Sequence, residues 1–295
     1  MIAIDWGTSS FRAYRLDAAG AIADKRAAPL GIMHVEGGRF AEALEAQVGD
    51  WLAVGEGPVV MSGMIGSRQG WKEAPYVECP AGAEQIGARM QQVAWGAGRV
   101  AWIAPGVSCR DAGGVPDVMR GEETQILGVL DTLPAAAWIC LPGTHSKWVE
   151  LRDGRIHGFT THMTGEAFAT LRAHTILGRM MTEAPNDPAW FEAGLKRSRE
   201  RGGLLHHLFG VRARGLFGEL PDPASASYLS GILIGHELQS VATTADTVYL
   251  LGARALEAAY RHALEHFGHR AVALDADAAV RGLWRLSRHL PEARK

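Results

Sequence analysis

Short apolar runs separated by polar turns open the chain, at the spacing of strands rather than helices. Ile2-Ala3-Ile4, Phe11 to Leu16 and the stretch after Asp17-Ala18-Ala19-Gly20 predict a β-meander beginning at residue 2, with Asp5-Trp6-Gly7-Thr8-Ser9-Ser10 as its first turn. Apolar positions then recur at helical spacing from Phe40 to Leu52. They return as a short buried strand, Val59-Val60-Met61, that ends in Ser62-Gly63, and as another from Val100 to Ala104. A helical pattern from Gly121 to Leu130 is stopped by Leu133-Pro134, and the apolar run Ala135 to Leu141 starts afresh.

This second beginning resembles the first. Strand Trp138 to Leu141, turn Pro142-Gly143-Thr144-His145-Ser146-Lys147, strand Trp148 to Leu151, turn Arg152-Asp153-Gly154 and strand Arg155 to Phe159 repeat the order of the opening, the mark of a remote internal duplication. Helical patterns follow over Gly165 to Met181, Ala189 to Arg201, Leu204 to Leu216 and Ser227 to Ala242. Thr247 to Leu251 is a further strand, leading through Gly252 into a helix that runs to Phe267. Gly231 and Gly235, one turn apart, predict close helix packing. The expected fold class is α/β in two halves, 1–134 and 135–295, with the last helix free to pack back on the first.

Composition supports this and narrows the partner. A chain of 295 residues exceeds the usual size of one core, and 47% hydrophobic with 21% charged residues is globular composition. A net charge of −2 without a long Lys/Arg run gives nucleic acid nothing to bind, so a small molecule is the expected partner. Met1-Ile2-Ala3-Ile4-Asp5 lacks the basic start of a secretory signal and no segment is apolar enough to span a bilayer, so a cytoplasmic protein without a membrane partner is expected. Cys79, Cys109 and Cys140, odd in number and far apart, read as reduced packing residues. A homo-oligomer is compatible with all of this.

Three turns carry chemistry. In the first, a carboxylate ends a buried strand and a Gly and three hydroxyl residues follow. Asp5 can hold Mg²⁺ through its waters, while N–H groups freed by Gly7 and the hydroxyls of Thr8 and Ser9 meet phosphate oxygens; the same residues also suit a solvated hairpin. The second, Gly143-Thr144-His145-Ser146-Lys147, repeats this and adds a cation for a transferred phosphoryl group. Two such hairpins can clamp a triphosphate from both sides of a cleft. In the third, Gly252-Ala253 joins a strand to a helix whose N-terminal end can face adenosine. Neither G-x-x-x-x-G-K-[ST] nor G-x-G-x-x-G occurs, which removes the P-loop and Rossmann alternatives.

In this order the three turns resemble the phosphate and adenosine motifs of the actin-like ATPase superfamily, which implies two ribonuclease-H-like domains around a nucleotide cleft. More closely, Asp5 to Arg12, Ser62 to Ser67 with Trp71 and Pro75-Tyr76, Met119 to Gln125, Leu141 to Trp148 and Thr164-Gly165-Glu166 resemble the 2-dehydro-3-deoxygalactonokinase family. The resemblance implies ATP- and Mg²⁺-dependent phosphorylation of a 2-keto-3-deoxy sugar acid at its 6-hydroxyl. It places a sugar-acid site on Ser62, Gly63, Met64, Ser67 and Trp71, with Thr164, Gly165 and Glu166 as further candidates. Arg12, Arg68, Lys72 and the Thr164-Gly165 helix start are candidates to bind the acid's carboxylate, and Thr164 is equally a candidate N-cap. The second turn carries no acid, so Glu122 or Glu123 is the expected base or metal organiser, with His145 as a rival and a helix-dipole role as the bland alternative. Two other functions fit the fold: a phosphohydrolase of polyphosphate or a nucleotide, and a non-enzymatic, actin-like ATP-binding protein. His262, His266 and His269 are expected on a solvated helix face.

Overall fold

A computed structural model describes residues 1–290 except 56, 97, 242–244, 253 and 276. The chain forms two compact units. The first comprises Met1–Ala136, Glu150–Phe159 and 275–290; the second comprises Ala137–Val149 and Thr160–Leu274.

In the first unit, strands β1 (Ile2–Trp6), β2 (Phe11–Leu16) and β3 (Ile22–Ala28) form the expected meander. Helix α1 (Phe40–Ala53) and strand β4 (Val59–Ser62) follow. Next come β5 (Val77–Glu78), α2 (Ala83–Gly87), β6 (Gln91–Trp95), β7 (Arg99–Ile103), β8 (Val107–Arg110), β9 (Pro116–Met119) and α3 (Glu122–Val129). The main sheet runs β3-β2-β1-β4-β7-β6, with β4 parallel to β1 and β7 parallel to β4. A central strand covered on both faces must be apolar throughout, and Ile2, Ala3, Ile4 and Trp6 of β1 are all buried. β3, on the sheet edge, carries exposed Asp24 and Lys25, which discourage edge pairing. Phe40, Leu44, Val48 and Trp51 form the buried stripe of α1 and share a core with β1, β4 and β7.

The second unit holds most of β10 (Ala136–Leu141), parts of β11 (Ser146–Arg152) and β12 (Arg155–His162), and helices α4 (Thr164–His174), α5 (Pro188–Ser198), α6 (Gly203–Leu216) and α7 (Ser225–Ser240). Strand β13 (Thr247–Leu250), helix α8 (Arg254–His266) and strand β14 (Arg270–Ala273) complete it. Its sheet runs β12-β11-β10-β13-β14, with β13 parallel to β10 and β14 parallel to β13. The same sequence of a meander followed by two parallel strands builds both sheets. The last helix, α9 (Ala278–Ser287), belongs to the first unit and packs on α3, β1 and β4. Glycines permit that contact: a Cβ on Gly282 would lie 1.8 Å from the Thr124 carbonyl oxygen. Gly231 serves α5–α7 packing in the same way, 2.1 Å from the Phe191 carbonyl, as its spacing predicts.

Three expectations need correction. The second turn is shorter than Pro142 to Lys147, because Ser146 and Lys147 already belong to β11 and are buried. Helix α4 stops at His174 rather than Met181: Thr175 leaves helical geometry and its hydroxyl donates to the Leu171 carbonyl at 2.5 Å. The small sheet β5-β8-β9 goes unannounced in the sequence, its strands being too short to show alternation. Among the described residues no helix is long and apolar enough to cross a membrane.

Candidate functional site

In the first unit the candidate residues gather at the carboxyl ends of the parallel strands β1 and β4, where Asp5 and Ser62 are register partners. Open α/β sheets place ligands at such ends, since loops and helix N-termini leave backbone donors there. The Asp5 to Ser10 turn is closed by Gly7 N–H donating to the Ser10 carbonyl at 2.9 Å. The Gly7 and Thr8 carbonyls accept from Ile32 and Met33 N–H at 3.0 and 3.3 Å, which leaves Thr8 and Ser9 exposed at the tip. Asp5 is largely buried, and burial raises its carboxyl above the ordinary value, with Arg12 Nη1, 3.5 Å away, opposing the rise. Arg12 therefore stands beside the carboxylate in this conformation.

Two glycines let the elements close on Asp5. Gly63, after β4, has φ +91°, and a Cβ there would lie 2.8 Å from the Trp6 carbonyl and 3.3 Å from Asp5 Oδ1. Gly121, before α3, has φ +105°, and a Cβ there would lie 3.4 Å from Gly63 Cα. The entry to α3 is tied from within. Glu122 Oε2 accepts from Arg120 N–H at 3.0 Å and Glu123 Oε2 from Gly121 N–H at 2.6 Å. Thr124 Oγ1 donates to the Gly121 carbonyl at 2.6 Å and lies 3.3 Å from Ser62 Oγ.

The two acids differ sharply. Glu122 is partly exposed. Glu123 is fully buried, its Oε1 has no hydrogen-bond partner, and burial, followed by the neighbouring Glu122 charge, pushes its carboxyl up to about 8. Burial of this kind makes Glu123 a poorer proton acceptor than the partly exposed Glu122, so the two acids expected as base stand in unlike surroundings. Ser62 is likewise buried, its hydroxyl against Thr124. Of the remaining residues in that segment, Met64 and Trp71 are half-buried against the core, Trp71 stacking on Phe40 at 6.4 Å. Ser67 Oγ accepts from Gln69 N–H at 3.3 Å. Arg68 pairs with Glu73 at 3.1 Å, and Lys72 Nζ donates to the Gln92 carbonyl at 2.7 Å.

In the second unit the Pro142 to His145 turn lies at the carboxyl end of β10, beside the end of β13. Gly252, with φ +150°, would bring a Cβ to 3.4 Å from the Pro142 carbonyl, and α8 begins two residues later. Ala253 lies outside the described residues. Thr164, Gly165 and Glu166 open α4 directly on this turn. Glu166 N–H donates to the Thr144 carbonyl at 3.0 Å, a Cβ on Gly165 would lie 2.4 Å from the Gly143 carbonyl, and His145 Nε2 is 2.5 Å from Glu166 Oε2. The N-cap is Met163, so Thr164 does not cap the helix. Thr144 and His145 are exposed.

Ser146 departs from expectation. Its hydroxyl lies in the core 2.7 Å from the Tyr260 hydroxyl, which donates to Glu237 Oε2 at 2.8 Å, while Trp148 Nε1 donates to Glu237 Oε1 at 2.7 Å. Its side chain is thus removed from ligand contact and instead fixes the strand behind the turn. Burial, and then the Glu237 charge, hold the Tyr260 phenol well above its ordinary value, so it remains a donor. Lys147, also buried, donates to Thr161 Oγ1 at 2.8 Å. Glu237, Tyr260 and Thr161 could not be found from the sequence, because only folding brings them to the turn. The histidine face also changes: Glu192 Oε2 and Oε1 lie 2.8 and 2.9 Å from His262 and His266, joining α5 to α8. Among the described residues no cluster of three or more His, Cys, Asp or Glu is suited to a metal.

The fold is that of the actin-like ATPases, two ribonuclease-H-like sheets that share a meander followed by two parallel strands, the first with antiparallel β6 added at its edge. Component A of (R)-2-hydroxyglutaryl-CoA dehydratase from Acidaminococcus fermentans shares it at TM-score 0.51 and 11% identity, over 98% of each chain. The profile of the 2-keto-3-deoxy-galactonokinase family matches residues 5–286, and the chain belongs to that family. A Rhizobium meliloti (strain 1021) protein assigned as a 2-dehydro-3-deoxygalactonokinase is 41% identical over 287 residues, 95% of this chain and 93% of that one. The 2-dehydro-3-deoxygalactonokinase of Escherichia coli (strain K12) is 35% identical over 281 residues, 94% of each. The crystal structure of a Sinorhizobium meliloti protein with the same assignment superposes at TM-score 0.89 and 40% identity, covering 97% of this chain and 98% of that one.

Proposed function

We propose that this protein transfers the γ-phosphoryl group of ATP to the 6-hydroxyl of 2-dehydro-3-deoxy-D-galactonate, giving the 6-phosphate and ADP, in the cytoplasm. Family membership and the names of the two curated relatives support the substrate class. One observation carries the mechanism: Asp5, the Gly63 turn and the Glu122 end of α3 meet at the carboxyl ends of β1 and β4.

In this reading Gly7, Thr8 and Ser9 bind phosphate through the exposed turn tip, and Gly143, Thr144 and His145 do so through the second turn. Lys147 stiffens the strand behind it, and Gly252 leaves room for the nucleoside. Asp5 would hold Mg²⁺, whose charge would neutralise phosphate oxygens when bound. A single, largely buried carboxylate that keeps some access to solvent suits that ion, which keeps several waters and takes its other ligands from phosphates. Glu122 accepts the proton of the 6-hydroxyl as that oxygen attacks phosphorus. Glu123, uncharged, holds the Gly121 N–H and so sets the angle at which Glu122 leaves the helix. Met64, Ser67 and Trp71 form the wall for the sugar acid, and Thr164, Gly165 and Glu166 brace the second turn.

ADP release measured over a panel of 2-keto-3-deoxy sugar acids tests this. Stimulation by the galactonate-derived acid above the gluconate-derived one is expected; phosphate release that ignores every acid would instead establish a hydrolase.

A further inference from the structure

Helix α6 turns an apolar face away from the protein. His207 and Val211 are buried on one side, while Leu205, Phe209 and Leu216 are 83%, 62% and 61% exposed. With Arg212 these residues follow one another at intervals of four, three and four, which on an α-helix is a straight seam along one side. Phe217, which caps the helix and is 83% exposed, stands beside the end of the seam, about 100° round from Leu216. Single exposed apolar side chains are ordinary, but a continuous stripe at the spacing of a helix–helix seam is what a packed helix presents.

We propose that this seam is the interface of a homodimer in which α6 packs antiparallel against α6 of a second copy across a two-fold axis. The stripe matches itself. An axis that sets Leu205 against Leu216 of the second copy also sets Phe209 against Arg212 of the second copy, because both pairs share one midpoint along the helix. Each end is closed by a leucine pair, and at the centre a guanidinium meets an aromatic face twice, a favourable contact. Among the described residues no ion pair engages Arg212 or Arg201. The same axis brings Arg201, exposed before α6, towards Asp222 and Glu219, exposed after it, Glu219 also pairing with Arg214 of its own chain at 3.4 Å, so opposite charges meet at both rims.

The area is sufficient. Taking roughly 150–200 Å² for a fully exposed side chain of this size, Leu205, Phe209, Leu216 and Phe217 present roughly 500 Å² per copy. A symmetric pair then buries about 1,000 Å² before any rim residue is added, the threshold of a specific interface. An unrelated partner would have to supply a complementary seam, which this chain already carries.

Sedimentation velocity on the full chain reads the assembly directly. Wild type is expected at twice the chain mass. Phe209→Asp and Leu205→Glu should each weaken the dimer by about tenfold or more while leaving melting temperature and ADP-forming turnover unchanged, since α6 holds no site residue. An equimolar mixture of Leu205→Cys and Leu216→Cys proteins should cross-link on oxidation, and neither alone should. A wild type that stays monomeric at the highest attainable concentration, a dimer indifferent to both charged substitutions, or cross-linking of either cysteine variant alone as efficiently as the mixture would each overturn the proposal.

Discussion

At the scale of single residues, burial alone puts the neighbouring acids at the head of α3 in different surroundings. Glu122 reaches solvent and Glu123 does not. Glu122→Gln is expected to lower kcat by about a hundredfold or more with ATP affinity unchanged, the signature of a lost proton acceptor; isothermal titration beside steady-state kinetics separates the two effects, and full kcat would move the base elsewhere. Glu123→Gln should be mild, since the amide resembles the protonated acid and its oxygen can still accept from Gly121. Its consequence lies in stability. Because the folded carboxyl titrates at about 8 against an ordinary 4.5, the stability it contributes is complete below about 4.5 and is lost progressively as pH rises towards 8. Melting curves should therefore show the glutamine variant gaining on wild type between pH 5 and 8; parallel curves would mean that Glu123 is not buried as described.

At the scale of elements, the site depends on contacts far from it in sequence. Helix α3 is held against α9 by close approach at Gly282, where a Cβ would lie 1.8 Å from the Thr124 carbonyl. Gly282→Ala should push α3 aside and carry Glu122 with it. Overpacking of this kind costs about 1–3 kcal/mol, which lowers the melting temperature of a chain this long by several degrees. Turnover should fall with it. Gly210→Ala, also in a helix but with no atom within 4 Å of the added carbon, serves as control and should be neutral or slightly stabilising; equal losses in the two variants would refute the packing argument. The elements that periodicity predicts are those with long apolar patterns, such as the first meander, α1, α7 and α8. The sheet β5-β8-β9 was hidden because strands of two to four residues cannot show a period. The turns were legible because Gly and hydroxyl residues after an apolar strand have few other uses. Ser146 misled because the same hydroxyl serves a ligand or a buried partner, and Tyr260 lies 114 residues away.

At the scale of the whole molecule, each sheet is a meander followed by two parallel strands, and each presents a Gly-Thr turn after its first strand. The internal repeat was visible in the sequence through those turns, and the family was visible through the combination of motifs spread along the chain. The burial of Glu123, Ser62 and Ser146 was not, since it is set by tertiary packing. The central claim is that phosphorus passes from ATP to a sugar-acid hydroxyl. Phosphorus NMR of a reaction containing ATP, Mg²⁺ and 2-dehydro-3-deoxy-D-galactonate tests it most directly. Loss of the γ-phosphate signal should be matched by ADP and a single phosphomonoester coupled to the protons on carbon 6; inorganic phosphate in place of that ester would contradict the account.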